Sequence, residues 1–453
     1  MSTALGWGQI ARLGLVQASL GAVVVLTTST LNRVMVVELA LPALLPGCLV
    51  ALHYLVQVMR PRMGYGSDVG GRRTPWIVGG MALLASGGVG AAVATAWMGS
   101  APGAGIALAV LSFTCIGLGV SASGTSLLVL LAKRVDPGRR AAAATVVWLM
   151  MIAGFAVTAG VAGRLLDPYS PERLVAVTAA VSAVAFVVTL AALFRLEGAA
   201  PGAAPAAAAE PKPRFREALA QVWAEPAARH FTIFVFISML AYSAQDLILE
   251  PFAGTVFGFT PGESTALSGV QHGGVLAGML LAGFAGSRFA GRPLGSLRLW
   301  TVGGCIASAL ALAGLVVAGM VGPAWPFRST VFALGLANGA FSIAAIGSML
   351  RMAGEGRQAR EGVRMGLWGA AQAIAFGLGG LAGAAASDLA RWLIGSPGAA
   401  YATVFGFEAV LFVVAATLAA RIGRAPAATA GLAQRANGGG PGAHAAGGQM
   451  ALR

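Results

Sequence analysis

Long apolar runs separated by short polar segments organise this chain. Twelve runs stand out, near residues 13–31, 41–59, 75–98, 104–131, 141–163, 173–194, 230–253, 265–286, 297–319, 328–350, 364–386 and 399–420. A bilayer core of about 30 Å is crossed by roughly 20 apolar residues in a helix. Each run therefore predicts one spanning helix, and the chain reads as an all-α integral membrane protein. The first run is too long for a cleavable leader and lacks a small-residue cleavage site, so it reads as a retained helix. Composition agrees: 57% of residues are hydrophobic, 10% are charged and mean hydropathy is +0.79. Soluble domains carry about 25% charged residues.

An Ala/Pro/Gly-rich stretch from Leu196 to Glu210, followed by Lys212, Arg214 and Arg216, divides six runs from six. The predicted organisation is an N-terminal six-helix half (1–195), a cytoplasmic linker (196–229), a C-terminal six-helix half (230–422) and a disordered Gly/Ala-rich tail (423–453). Within the linker, residues 215–225 suit a short amphipathic surface helix. The halves read as weak repeats. Run two leads into Gly64-x-x-x-Asp68-x-x-Gly71-Arg72-Arg73, and run eight leads into Gly283-x-x-Gly-Ser287-x-x-x-Gly291-Arg292. Parallel repeats of this kind place a cavity at the membrane midplane between them.

The net charge of +14 invites a nucleic-acid reading, and its placement argues against one. With the N-terminus inside, 25 of the 30 basic residues fall on the inner side. Only Arg33, Arg164, Arg173, Arg328 and Arg391 fall outside. That asymmetry predicts cytoplasmic termini and an inner face that attracts anionic lipid. Cys48, Cys115 and Cys305 lie singly in apolar segments, so neither a disulfide framework nor a structural metal site is expected. Glycine accounts for 65 residues, about twice its usual share. Gly274/Gly278, Gly335/Gly339 and Gly379/Gly383 match the small-x-x-x-small spacing that lets membrane helices approach closely.

Charged residues inside apolar runs are functional suspects by default. Asp246 and Glu250, four apart on run seven, share a helix face. At about 1.5 Å per residue from His230, Asp246 lies deep and Glu250 near the outer interface, where Pro251 is predicted to end or kink the helix. Arg33 occupies the comparable end of run one and is a candidate partner for Asp246 or Glu250, closing the outer face. Glu38 competes for it. The plainer reading is an interfacial ion pair that fixes packing. Glu408, inside run twelve, is either a proton-coupling group or a packing acid. In the signature loop, Asp68 is placed to pair with an arginine or cap the next helix, while Arg72 and Arg73 hold the loop inside. Gln57, Gln245, Gln271 and Gln372 are polar cavity candidates. Trp148 and Trp368 read as interfacial anchors.

Several strings carry a resemblance. The Gly64–Arg73 loop is similar to the signature loop of the major facilitator superfamily. Leu31-Asn-Arg-Val-Met-Val-Val-Glu38-Leu39, Ser67-Asp68-Val-Gly-Gly-Arg72-Arg73-Thr-Pro-Trp76 and Ser243-Ala-Gln245-Asp246-Leu-Ile-Leu-Glu250-Pro-Phe252 together resemble the PucC family of phototrophic bacteria, from about residue 6 to 422. The compact loop after run two looks more like the branch encoded among bacteriochlorophyll-synthesis genes, which carries a historical synthase label. The resemblance implies a 12-helix major facilitator fold of two pseudo-symmetric six-helix halves, in the bacterial inner (intracytoplasmic) membrane. It implies help in assembling light-harvesting complexes, by handling or delivering bacteriochlorophyll. The expected partners are the lipid bilayer and light-harvesting polypeptides or pigment-synthesis enzymes, and no intrinsic cofactor is expected. For bound bacteriochlorophyll, His53 and His272 are candidate ligands to the pigment magnesium, since neutral imidazole is a common metal ligand. Equally, each is a packed histidine with a hydrogen-bond partner. The synthase label raises catalysis, but the five aspartates include no two within twenty residues to hold magnesium and a pyrophosphate, and there is no phosphate loop. No catalytic residue is therefore assigned. Secondary transport of another amphipathic solute is the alternative.

Overall fold

The computed structural model describes residues 5–57, 72–136, 139–197, 220, 223–285, 296–355 and 361–421. They form helices α1 (Trp7–Glu38), α2 (Leu44–Val56), α3 (Thr74–Met98), α4 (Pro102–Arg134), α5 (Arg140–Leu165), α6 (Pro171–Leu193), α7 (Pro226–Phe257), α8 (Pro261–Ala285), α9 (Leu297–Val321), α10 (Phe327–Glu355), α11 (Glu361–Ile394) and α12 (Pro397–Arg421). All but α2 are long and apolar enough to cross a membrane, and α2 is a shorter apolar helix. The chain is a multi-pass membrane protein.

Helix pairing repeats between the halves. In the first, α1 packs on α5, α2 on α4, and α3 on α4 and α6; in the second, α7 packs on α11, α8 on α10, and α9 on α10 and α12. Across the halves, α5 lies against α8 and α2 against α11, and these two pairs are exchanged by the same pseudo-symmetry.

Small residues set the closest approaches. A Cβ at Gly274 or Gly278 would overlap the carbonyls of Phe332 and Leu336, and one at Gly335 or Gly339 those of Gln271 and Val275. The two predicted glycine pairs thus interlock α8 with α10. Gly379 and Gly383 seat the backbone of Leu240 and Ala244, joining α11 to α7. Without a water-driven hydrophobic effect between helices, such close van der Waals contact supplies much of the association.

Several expected boundaries move. α1 runs to Glu38, so Arg33 lies inside the helix rather than at its end. It contains two π turns, Leu26–Thr30 and Val34–Glu38. α7 starts at Pro226, before residue 230, and continues through Pro251 to Phe257, closed by Gly258 in the left-handed conformation (φ 69°). Pro251 does not end the helix, so Glu250 is 2% exposed rather than interfacial. Phe252 explains the continuation. It packs on Phe257, Phe327, Tyr401 and Phe405 at centroid distances of 5.1–5.5 Å, a cluster that forms only if the helix carries on. Trp368 is 1% exposed, edge-on to Phe231 at 4.9 Å, and is a core residue rather than an anchor. Trp148 is half-buried within α5. Trp7, Trp97 and Trp392 are the exposed indoles near helix ends.

Candidate functional site

The halves meet at the end of the bundle away from the basic loops. There α1 crosses α7 and α8 in a series of polar contacts. Ser29 Oγ lies 3.3 Å from Ser268 Oγ, Thr30 Oγ1 lies 2.9 Å from Thr265 Oγ1, and Asn32 donates to the Leu247 carbonyl at 2.6 Å. Arg33 donates to the Phe259 carbonyl at 2.6 Å and pairs with Glu38. Thr260 donates to Asp167 at 2.8 Å, joining the α7–α8 turn to the α5–α6 turn. Gly163 and Gly262 let α5 and α8 touch backbone to backbone.

Arg33 is 2% exposed. Burial of a guanidinium is tolerable only when it is paired and hydrogen-bonded. Of the expected partners, Glu38 makes the ion pair. Glu250 contributes its charge from the next shell, with the Ser29, Ser264 and Ser268 hydroxyls around it, but neither of its oxygens has a hydrogen bond of normal geometry. Asp246 does not pair with Arg33. It accepts from Gln271 Nε2 at 3.3 Å and faces Glu408. The structure therefore divides the predicted group in two: Arg33, Glu38 and Glu250 at the closed end, and Asp246 with Glu408 deeper in the C-terminal half. Gln245 is fully buried, and both its amide atoms lack partners. Beside Asp246, Tyr242 and Tyr54 flank Phe376 at 5.9 and 5.5 Å, an aromatic wall drawn from both halves.

The two histidines are buried in different settings. His53 Nε2 lies 2.9 Å from Gln57 Nε2. His272 Nδ1 lies 2.8 Å from the Ser268 carbonyl, which only accepts, so the proton sits on Nδ1 and Nε2 carries the lone pair of a neutral ring. Its ring stands edge-on to Phe155 at 5.0 Å. Holding one ring nitrogen this way is how ligating histidines are oriented, and it equally satisfies a packed one.

In the signature loop, Gly64, Asp68 and Gly71 lie outside the described residues. Arg72 is exposed, and Arg73 is half-buried at the start of α3. The cap at that start is Glu197. Its carboxylate accepts from the Arg73 and Thr74 backbone N–H groups at 2.6 and 2.8 Å, and from the Thr74 hydroxyl at 2.6 Å. Burial raises the Glu197 pKa, but these hydrogen bonds outweigh it and hold the carboxyl below its ordinary value. Arg134 donates to the Glu197 carbonyl at 2.7 Å and Arg12 to that of Ala192 at 2.9 Å, so α1, α3, α4 and α6 are tied at one point. At the opposite end Asp388 of α11 caps α2 across the halves, accepting from Ala43 and Leu44 N–H at 3.1 and 2.8 Å while pairing with Arg391. Neither acid was singled out from sequence. The available signals were a lone acid just past a span and an Asp-x-x-Arg step near a span end.

Twelve membrane helices in two like halves, with polar closure at one end and carboxylates within, define a transporter-type fold. Solved structures agree. The chain superimposes on a D-xylose–proton symporter with a TM-score of 0.68 at 15% identity, covering 92% of this chain and 97% of that one. A bacterial homologue of the human lysosomal transporter Spinster, in an inward-facing unoccupied conformation, gives 0.65 at 16% identity over 91% and 95%. These are members of the major facilitator fold class. The family model described as "PUCC protein" matches residues 30–426, and the chain belongs to that family. It is 54% identical over 415 residues to the "Bacteriochlorophyll synthase 44.5 kDa chain" of Rhodobacter capsulatus, covering 92% of this chain and 95% of the relative. To "Protein PucC" of Rhodobacter capsulatus it is 31% identical over 436 residues, covering 91% of each.

Proposed function

We propose that this protein handles or delivers bacteriochlorophyll during assembly of light-harvesting complexes. The observation that carries the reading is near full-length kinship, at 54% identity, with a relative named for bacteriochlorophyll. The transporter-type fold supports moving or presenting a molecule rather than transforming one, and the reading assigns this chain no chemical step. The setting is the inner (intracytoplasmic) membrane, with both termini on the side of the basic loops. Light-harvesting polypeptides or pigment-synthesis enzymes are the proposed partners. The Tyr54–Phe376–Tyr242 wall offers flat apolar surface to a macrocycle, and His272 offers an oriented imidazole.

The test is an absorption spectrum of the protein purified in mild detergent from a phototroph. Co-purifying bacteriochlorophyll is expected, reduced by His272→Leu or His53→Leu if that ring ligates the magnesium. Gene deletion should lower antenna complexes without accumulation of an untailed bacteriochlorophyllide; such accumulation would revive the enzyme reading. Secondary transport of another amphipathic solute is the second reading, favoured by the buried Asp246 and Glu408. A normal pigment profile with lost uptake or efflux of another compound would select it. Reporter fusions at residues 205 and 440 should both report the cytoplasmic side.

A further inference from the structure

Two carboxyl groups meet in the C-terminal half with no basic side chain between them. Glu408 of α12 is 2% exposed, and neither of its oxygens has a hydrogen-bond partner. The charge that reaches it is that of Asp246 on α7. Asp246 is partly exposed and accepts one hydrogen bond, from Gln271 of α8 at 3.3 Å.

The surrounding groups leave the pair uncompensated. Tyr242 of α7 faces Asp246, and Tyr54 of α2 faces Tyr242. Arg33 of α1 is engaged one turn further along α7, by Glu38, the Phe259 carbonyl and the charge of Glu250. From α11, Asp388 and Arg391 pair with each other and face Tyr401, two turns before Glu408 on α12. From α9, Cys305 is a core thiol and Arg298 bonds the Ala420 carbonyl at the far end of α12.

An ionised carboxylate withdrawn from water needs a counter-charge or several donors. Two neighbouring carboxylates in such a place do not both ionise; the pair retains a proton. A hard metal cation takes about six or more oxygen ligands, whereas two carboxyl groups and one amide converge here. The unequal exposure then assigns roles: Glu408 is sealed and Asp246 is the member water can reach.

We propose that Asp246 and Glu408 form a proton-binding site, in which Glu408 holds the proton and Asp246 exchanges it with water. One proton is taken up or released, and no other bond changes. The site stands on the geometry of α7 and α12 and does not depend on the pigment reading, because its test requires no cargo.

The experiment uses the full chain in lipid nanodiscs. Infrared difference spectra between acid and alkaline pH should show a protonated-carboxyl C=O band, lost in Glu408→Gln and shifted in Asp246→Asn. A second measurement needs no variant. Dicyclohexylcarbodiimide modifies protonated carboxyl groups in apolar surroundings, and mass spectrometry should locate its adduct on Glu408 of the native chain. The adduct should diminish as pH rises and be indifferent to sodium. Survival of the unshifted band in both variants would overturn the proposal. So would absence of an adduct on both acids across the pH range, or protection by sodium instead of by alkali.

Discussion

Gly254 leaves the space that Arg33 fills. A Cβ at Gly254 would stand 2.9 Å from one guanidinium nitrogen of Arg33 and 3.2 Å from its central carbon. The seat of a buried cation on α1 is therefore a bare stretch of α7, one turn beyond Glu250. A side chain there displaces the guanidinium from the Phe259 carbonyl. Gly254→Val and Arg33→Ala should both loosen the closed end. In a background lacking Cys48, Cys115 and Cys305, a cysteine at Thr265 should react faster with an impermeant maleimide in either variant. A tenfold rise corresponds to about 1.4 kcal/mol; unchanged labelling would show that the arginine does not hold the halves together.

The ion pair has a preferred partner. Arg33→Glu combined with Glu38→Arg should recover a good part of the thermal stability lost in each single reversal. Arg33→Glu combined with Glu250→Arg should recover less, because Glu250 reaches Arg33 only through space. Melting curves in one detergent decide between them, and equal recovery would contradict the observed pairing.

Asp388 should behave as a helix cap placed between halves. Asp388→Ala removes an acceptor for two backbone N–H groups and is expected to cost about 1 kcal/mol, the usual scale for an N-terminal cap. Asp388→Asn keeps an acceptor and should cost less. A fluorescence melt showing both variants equal to the parent would remove Asp388 from the closure.

Glu197 predicts an acid limit. Its carboxyl titrates below the ordinary glutamate value in the folded chain, so the stability it contributes is present above that ordinary value. That contribution is lost as pH falls through the lower folded one. Melting temperature should therefore drop on acidification through this range, and Glu197→Gln should remove that part of the drop while lowering stability at neutral pH. Parallel pH profiles for the two proteins would contradict the assignment.

The interlock of α8 and α10 should tolerate no side chain. Gly278→Val or Gly339→Val forces a branched group into a backbone carbonyl, and overpacking costs typically 1–3 kcal/mol or more. Monodisperse yield by size-exclusion chromatography should fall sharply, while Gly273→Val, at a glycine with open space, should leave it near the parent level.

The helices were legible because spanning the bilayer demands length and apolarity, and Gly274/Gly278 and Gly335/Gly339 because close backbone contact demands glycine at that spacing. Arg33, Asp246, Glu250 and Glu408 were visible as charges where charge is costly. Their partition was not, since four-residue spacing puts Asp246 and Glu250 on one face without saying what lies opposite each. Pro251 misled because local sterics argue for a break, whereas the ring packing of Phe252 outweighs them. Trp368 misled because its helix begins at Glu361, well before the apolar run suggests. Glu197 and Asp388 escaped notice because caps act on backbone N–H groups far away in sequence, and those groups leave no mark on the side chains they involve.

The paired π turns of α1 act as phase adjusters. A straight α-helix presents one constant stripe, but α1 must serve two clients: Leu13, Val16 and Leu20 belong to the interior of the first half, while Asn32 and Arg33 reach into the second. Each wide turn accommodates a supernumerary residue and rotates all that follows by about 100°, one residue's worth of helical angle. Deleting a single residue within Leu26–Thr30 would let the helix rewind to regular pitch with every downstream composition intact. It would aim Arg33 away from Gly254 all the same. The address of that arginine is thus written in how many residues precede it as much as in what they are.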